Sequence, residues 1–202
     1  MSTVVDGSAD TGPPSTDEVI DGFEDGNLTP DDPRFFTWKV EVLDDTQERS
    51  DGQLSVAATA GHDGQALQLV WQVQEVPDGR VNHPGVMLVM SLITSIDLTA
   101  YSSLVFAHKY EHQGTCQAVP LVTLSASCTG SDKRLEASAP LSPAWTATTI
   151  PFADLQSAGL TPTTREECLP QIYEIDLRLE VSLSEGDCAS GTLWLDDVAL
   201  RL

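Results

Sequence analysis

The chain has 202 residues, room for one sizeable domain or two small ones, and all-β sandwiches commonly fill this length alone. Thirty-one acidic residues against ten basic ones give a formal charge of -21. That balance argues against nucleic acid and anionic membrane surfaces as partners, because neutralising phosphate needs Lys and Arg. It is compatible with calcium, a cationic partner, a neutral ligand such as a sugar, or a solvated acidic surface.

Residues 1–17 form a Ser/Thr/Gly/Pro/Asp-rich opening that cannot bury a core and reads as a tether. No apolar run reaches the roughly 18 residues of a membrane span, and no segment has the charged-then-apolar form of a signal peptide. Such an opening fits an exported or lipid-anchored protein whose targeting segment is absent from this sequence.

Residues 18–202 read as β-structure throughout. In residues 35–43, alternation from Phe36 puts Trp38, Val40 and Val42 opposite Lys39 and Glu41. Residues 53–59 form a further candidate strand, followed by the turn-like run A-G-H-D-G at 60–64. In residues 66–73, Leu67, Leu69, Trp71 and Val73 share one face, so Trp38 and Trp71 are expected in the core. The continuously apolar run 85–93 fits a buried strand or a short helix, with the strand preferred. In residues 104–110, Leu104, Phe106, His108 and Tyr110 share one parity. Residues 119–126 and 134–139 follow as candidate partners, and Pro151 confines the strand in 145–155 to an edge or an end. Short helical turns are expected near 152–157 and 164–168. In residues 172–181, Tyr173, Ile175, Leu177, Leu179 and Val181 alternate with Glu174, Asp176, Arg178 and Glu180, one side core and the other wet.

Many short strands punctuated by Gly, Pro and Asp, with no comparable helix, predict a two-sheet sandwich or barrel. The four cysteines Cys116, Cys128, Cys168 and Cys188 include no C-x-x-C pair and no His at zinc spacing. They read as disulfides, which places the protein in an oxidising, extracytoplasmic compartment. Of the three possible connectivities, Cys116 with Cys128 and Cys168 with Cys188 is favoured, since each pair brackets a hairpin-sized segment.

The last strand, 191–202, carries Asp196 and Asp197, and residues 19–27 near the start carry Asp21, Glu24 and Asp25. If the first and last strands lie side by side, these carboxylates meet at one end of a sheet. That is a calcium site in outline, because hard Ca²⁺ takes 6 to 8 oxygen ligands.

Four separated pieces, V-I-D-G-F-E-D-G at 19–26, G-H-D-G-Q-A-L-Q-L at 61–69, D-L-T-A-Y-S-S-L-V-F at 97–106, and W-T-A-T-T-I-P-F-A-D-L with the closing L-W-L-D-D-V-A-L, resemble galactose-binding-like jelly rolls. The resemblance is to carbohydrate-binding modules of bacterial polysaccharide-degrading enzymes and to the complex I intermediate-associated protein type. It implies an all-β, two-sheet antiparallel sandwich, a structural calcium and a ligand groove on a concave sheet face. Carried over by position, Glu24 and Asp196 match the metal-holding side chains, with backbone oxygens of 62–65 completing the set and Asp21, Asp25 and Asp197 beside them.

Sugar recognition needs aromatic faces for the apolar side of the ring and polar groups for its hydroxyls. Only 6% of residues are aromatic, which leaves His108 and Tyr110 as groove candidates, with Asp176 and Arg178 as hydrogen-bonding groups from the same sheet. The run E-I-D-L-R-L-E at 174–180 does not suit a laminarinase-like glycosidase, since i and i+4 on a strand lie roughly 13 Å apart while a retaining pair needs about 5 to 5.5 Å. No nucleophile elbow, P-loop, H-E-x-x-H or dinucleotide fingerprint is present. The sequence thus predicts a non-catalytic, monomeric, calcium-stabilised module that binds a polysaccharide or oligosaccharide. The alternative is an envelope-anchored interaction domain without sugar binding.

Overall fold

The computed structural model describes residues 17–43, 51–58, 64–74, 85–114, 121–128, 132–180 and 188–202. Its strands are β1 (Asp17–Asp21), β2 (Lys39–Leu43), β3 (Asp51–Ala58), β4 (Gln65–Gln74), β5 (Gly85–Ile96), β6 (Ser103–His112), β7 (Leu121–Cys128), β8 (Arg134–Pro140), β9 (Thr146–Pro151), β10 (Gln156–Ser157), β11 (Ile172–Glu180) and β12 (Cys188–Arg201). One short helix, α1 (Arg165–Cys168), precedes β11 and is capped by Thr164 and Glu167 in a reciprocal capping box.

Two antiparallel sheets carry the fold. The first runs β3-β4-β12-β6-β9, with β1 also paired to β12; the second runs β10-β8-β7-β11-β5-β2. Strand β9 ends at Pro151 on the edge of the first sheet, where a missing N–H costs no ladder bond. The core lies between the sheets. Leu67, Leu69, Trp71 and Val73 enter it from β4, and Leu104, Phe106 and Tyr110 from β6. From the second sheet come Val122, Leu124 and Ala126 of β7 and Ile175, Leu177 and Leu179 of β11. Period-two alternation is what turns each of these sets inward.

The first and last strands do lie side by side: Asp17 pairs with Arg201 in register, and the Arg201 guanidinium donates to both carboxylate oxygens of Asp17 at 2.9 Å. Asp17, assigned to the tether by composition, is therefore the first residue of β1.

The cysteine pairing departs from the expectation. Cys128 is bonded to Cys168 across a separation of 40 residues, so neither Cys116–Cys128 nor Cys168–Cys188 forms. Topology explains it: Cys128 ends β7 opposite Ile172 at the start of β11, and α1 places Cys168 just before that start. Cys188 is also disulfide-bonded, while Cys116 lies outside the described residues.

The alternation of residues 172–181 is also interrupted. A bulge between Ile172 and Glu174 breaks the register with both neighbouring strands. Tyr173, expected on the core side, is consequently 41% exposed. A similar slip precedes β2, where Phe35 is buried against Leu92 and Phe36 is 50% exposed.

Candidate functional site

The side of the second sheet turned away from the core is a mostly polar face, buried over β7, β11 and β5 and open at β8, whose order is fixed by strand register. One row holds Glu136 of β8, Ser125 of β7, Asp176 of β11 and Val89 of β5. The next holds Ser138, Thr123, Arg178 and Met87. On the other side, Ser91 and Glu174 are paired, and the Ser91 hydroxyl donates to the Glu174 carboxylate at 3.3 Å.

Asp176, Ser125, Thr123 and Arg178 are all buried although their parity is opposite to that of the core residues of their own strands, Val122, Leu124 and Ala126 of β7 and Ile175, Leu177 and Leu179 of β11. Arg178 donates to Asp176 Oδ2 and to Glu136 Oε1, both at 3.4 Å, and Arg134 Nε pairs with the same Glu136 oxygen at 2.8 Å. Asp176 Oδ1 and Ser125 Oγ, at paired positions, have no hydrogen-bond partner among the described residues. Buried polar atoms left without partners are uncommon and mark a place where a ligand or water completes the network. Burial pushes the Asp176 carboxyl up to about 7; Glu174 and Glu41 push the same way and Arg178 opposes them. A pocket of about 320 Å³ lined by Glu136, Ser138, Asp154 and Gln156 borders this surface.

Aromatic rings border the row at its Glu174 end. Tyr173 stands in the bulge next to Glu174, and Phe36 donates its backbone N–H to the carbonyl of Ser91 at 2.8 Å. With neighbouring strands about 5 Å apart, Phe36 and Tyr173 are separated by roughly 10 Å across Ser91. Alternation alone does not reveal either ring; the only sequence signal is the doubled Phe35-Phe36 and the aromatic placed directly before the acidic run.

The two aromatic candidates taken from sequence lie elsewhere. His108 and Tyr110 belong to β6 of the first sheet, so they do not share a sheet with Asp176 and Arg178, and both face the core. Tyr110 packs beside Trp71 with ring centroids 6.3 Å apart and donates its hydroxyl to Ser190 O. It lies so close over Gly191 that an added Cβ would be 2.5 Å from Tyr110 Cε2. Burial pushes its phenol up to about 12. His108 Nε2 accepts from Ser142 N–H at 3.0 Å, which puts the proton of the neutral ring on Nδ1, facing Thr148 Oγ1 at 3.1 Å. Burial lowers its pKa and keeps it neutral.

The carboxylates expected at the metal clasp are partly brought together. Gln65 N–H donates to Glu24 Oε1 and Gln65 Nε2 to Glu24 O, tying the turn after β1 to the start of β4. Gly64 closes over this contact at φ +124, and a Cβ there would stand 1.9 Å from Glu24 Oε1. Asp196 is buried one residue beyond the Leu195–Leu67 pair, hence beside the end of β4 that Glu24 holds. Its Oδ1 accepts from Asp197 N–H at 2.8 Å, and Asp197 itself adopts a positive φ of 50.

Asp21 is committed differently, with Oδ1 accepting from Phe23 N–H at 2.8 Å and Oδ2 from the Trp38 indole at 2.7 Å. Burial, only partly offset by these bonds, pushes it up to about 6. Among the described residues no three His, Cys, Asp or Glu side chains gather into a metal-binding group. Residues 62 and 63, whose backbone oxygens complete the expected set, lie outside them.

No protein-family model matches the chain, and no curated protein does. Solved structures do. The chain is similar to the family 11 carbohydrate-binding module of a cellulosomal cellulase of Clostridium thermocellum, at TM-score 0.61 and 17% identity, over 92% of this chain and 94% of that one. The fold is the two-sheet jelly roll of that module. A second structure of the Clostridium thermocellum family 11 module, in complex with a β-1,3-1,4-mixed-linked tetrasaccharide, matches at TM-score 0.60 and 16% identity, over 92% of this chain and 95% of that one. An exo-β-agarase matches at TM-score 0.50 and 10% identity, over 91% of this chain but 25% of its own.

Proposed function

We propose that this jelly roll is a non-catalytic module that binds a neutral glycan along the outward face of the second sheet. The observation that carries the reading is the buried polar network around Asp176, with unpartnered oxygens on Asp176 and Ser125, bordered by the exposed rings of Tyr173 and Phe36. A sugar ring presents an apolar face to an aromatic and hydroxyls to flanking polar groups, and this surface offers both. Arg178, oriented by Asp176 and Glu136, donates to hydroxyls; Glu174 and Glu136 accept from them. The acidic surroundings disfavour uronate or sulfated chains and leave neutral polymers as the class that fits.

The disulfides support an oxidising, extracytoplasmic setting. The oxygen-only set of Glu24 and Asp196, with nearby carbonyl groups, suits a hard cation. We assign calcium there a structural role, clasping the first turn to the last strand, with Asp21 nearby and each of its oxygens accepting one hydrogen bond.

Affinity electrophoresis tests the binding. Soluble mixed-linked β-glucan, xylan and mannan are cast in native gels and compared with a gel lacking polysaccharide. At least one glycan is expected to retard the protein, and Tyr173→Ala to abolish most of the retardation. No retardation on any glycan, or unchanged retardation of Tyr173→Ala, would overturn the reading.

A further inference from the structure

The outward face of the first sheet carries a second aromatic and amide arrangement that the reading above does not use. Leu193 and Leu195 of β12 are core residues, so Trp194 between them points out of the sandwich, half-buried. Register places Trp194 between Gln68 of β4 and Lys109 of β6. Lys109 Nζ lies 5.0 Å from the centroid of the Trp194 ring and pairs with Glu111 at 2.6 Å. On the far side of Gln68, Ser55 Oγ donates to its side-chain oxygen at 3.3 Å. The ring thus lies in a strip of polar groups, with the Lys109–Glu111 ion pair along one side.

Further along the same face lies a pocket of about 390 Å³, lined among others by Asp51, Gln53, Gln72, Gln113 and Ser190. Gln53, Gln72 and Gln113 are exposed. Ser190 Oγ donates to Gln113 O at 2.7 Å, and Gln113 Nε2 donates to Thr192 Oγ1 at 2.6 Å, so the pocket wall is braced. Ser190 and Trp194 are four residues apart on β12, about 13 Å at the rise of a strand. A primary amide carries both donors and an acceptor, which suits vicinal hydroxyls, and an indole supplies the stacking surface. Lys109 and Glu111 satisfy each other, leaving Asp51 at the pocket as the remaining charged group among these residues.

We propose that this strip is a second glycan-binding surface, with Trp194 as the stacking ring and Gln53 and Gln72 as hydrogen-bonding groups. It shares with the first reading only the class of ligand, a neutral oligosaccharide. Because it lies on the opposite side of the sandwich from Tyr173, a protein with both surfaces bridges two polysaccharide chains.

Isothermal titration of the full chain with a β-1,3-1,4-mixed-linked tetrasaccharide tests this. Two sites per chain are expected in the unaltered protein, and one in either Trp194→Ala or Tyr173→Ala. The double variant Gln53→Ala/Gln72→Ala, on exposed positions that leave the core intact, is expected to weaken the second site at least tenfold and keeps the test informative if Trp194→Ala misfolds. One site that vanishes in Tyr173→Ala and is unchanged by the glutamine pair would overturn the second surface and leave the first standing. Binding that survives Tyr173→Ala but is lost with the glutamine pair would do the reverse. No binding of the tetrasaccharide by the unaltered protein would overturn the second surface.

Discussion

Strands β6 and β11 alternate almost equally well in sequence, yet their tyrosines have opposite fates. On β6 the pairing with β9 is regular from Ser103 to His108, the slip against β12 falls at Asp196–Ala199 on the β12 side, and Leu104, Phe106, His108 and Tyr110 are all buried on one parity. On β11 a bulge between Ile172 and Glu174 shifts the parity, so that Tyr173 is delivered to the outward face while Ile175 and Leu177 stay inside. Because the side-chain period is two, one extra residue decides whether a ring is packing or platform. The same comparison separates the polar groups. His108 is hydrogen-bonded on both nitrogens and faces the core; Asp176, equally buried, lies on the other side of its sheet beside Arg178 with one oxygen lacking a hydrogen-bond partner among the described residues.

The largest effect expected in breaking this comparison concerns what holds the start of β11 in place. The Cys128–Cys168 bond anchors α1 to the end of β7, and a disulfide closing a loop of this length is worth about 4 kcal/mol on the chain-entropy account. Cys128→Ser/Cys168→Ser should lower stability in denaturant by up to that amount, and a loss under about 1 kcal/mol would show that β11 is positioned without it. Next, Tyr110→Ala should cost about 3 kcal/mol as a core truncation, whereas Tyr173→Ala should stay within about 0.5 kcal/mol. Equal losses in the two variants would erase the distinction between the strands.

A smaller effect separates the two strands by pH. The Asp176 carboxyl, raised to about 7, and that of Asp21, raised to about 6, hold protons in the folded state that the unfolded chain has released. Their contribution to stability is therefore full below about pH 4 and is lost as pH rises through 6 and 7. The melting temperature should fall between pH 5 and pH 8, with a shallower fall in Asp176→Asn; an identical slope would contradict the burial argument. The smallest effect concerns the clasp. Chelation with EDTA should lower the melting temperature by a few degrees, and Glu24→Ala should remove the difference. An unchanged melt in excess chelator would count against calcium.

Much of the fold is legible in the sequence because burial writes itself as alternation. Leu67, Leu69, Trp71 and Val73 announce the inner face of β4, Pro151 announces an edge, and the closing strand pairs with the opening one, Asp21 opposite Val198 and Asp17 opposite Arg201. What is not legible depends on register between distant strands. The Cys128–Cys168 pairing follows from β7 lying beside β11, which local spacing does not show. Sheet membership follows from the same long-range order, and so His108 and Tyr110 look like neighbours of Asp176 in sequence logic although they lie on the other sheet. The site's polar residues, Asp176 and Arg178, could be read from the wet parity of residues 172–181. Its aromatic residues could not, since both Tyr173 and Phe36 sit where the alternation slips.

The central claim, that glycan is held on the outward face of the second sheet, is tested most directly by backbone amide chemical-shift mapping during titration with the mixed-linked tetrasaccharide. Shifts at Ser91, Ser125, Tyr173, Glu174 and Arg178, lost in Tyr173→Ala, are the predicted result. Shifts that leave these residues unmoved would contradict it.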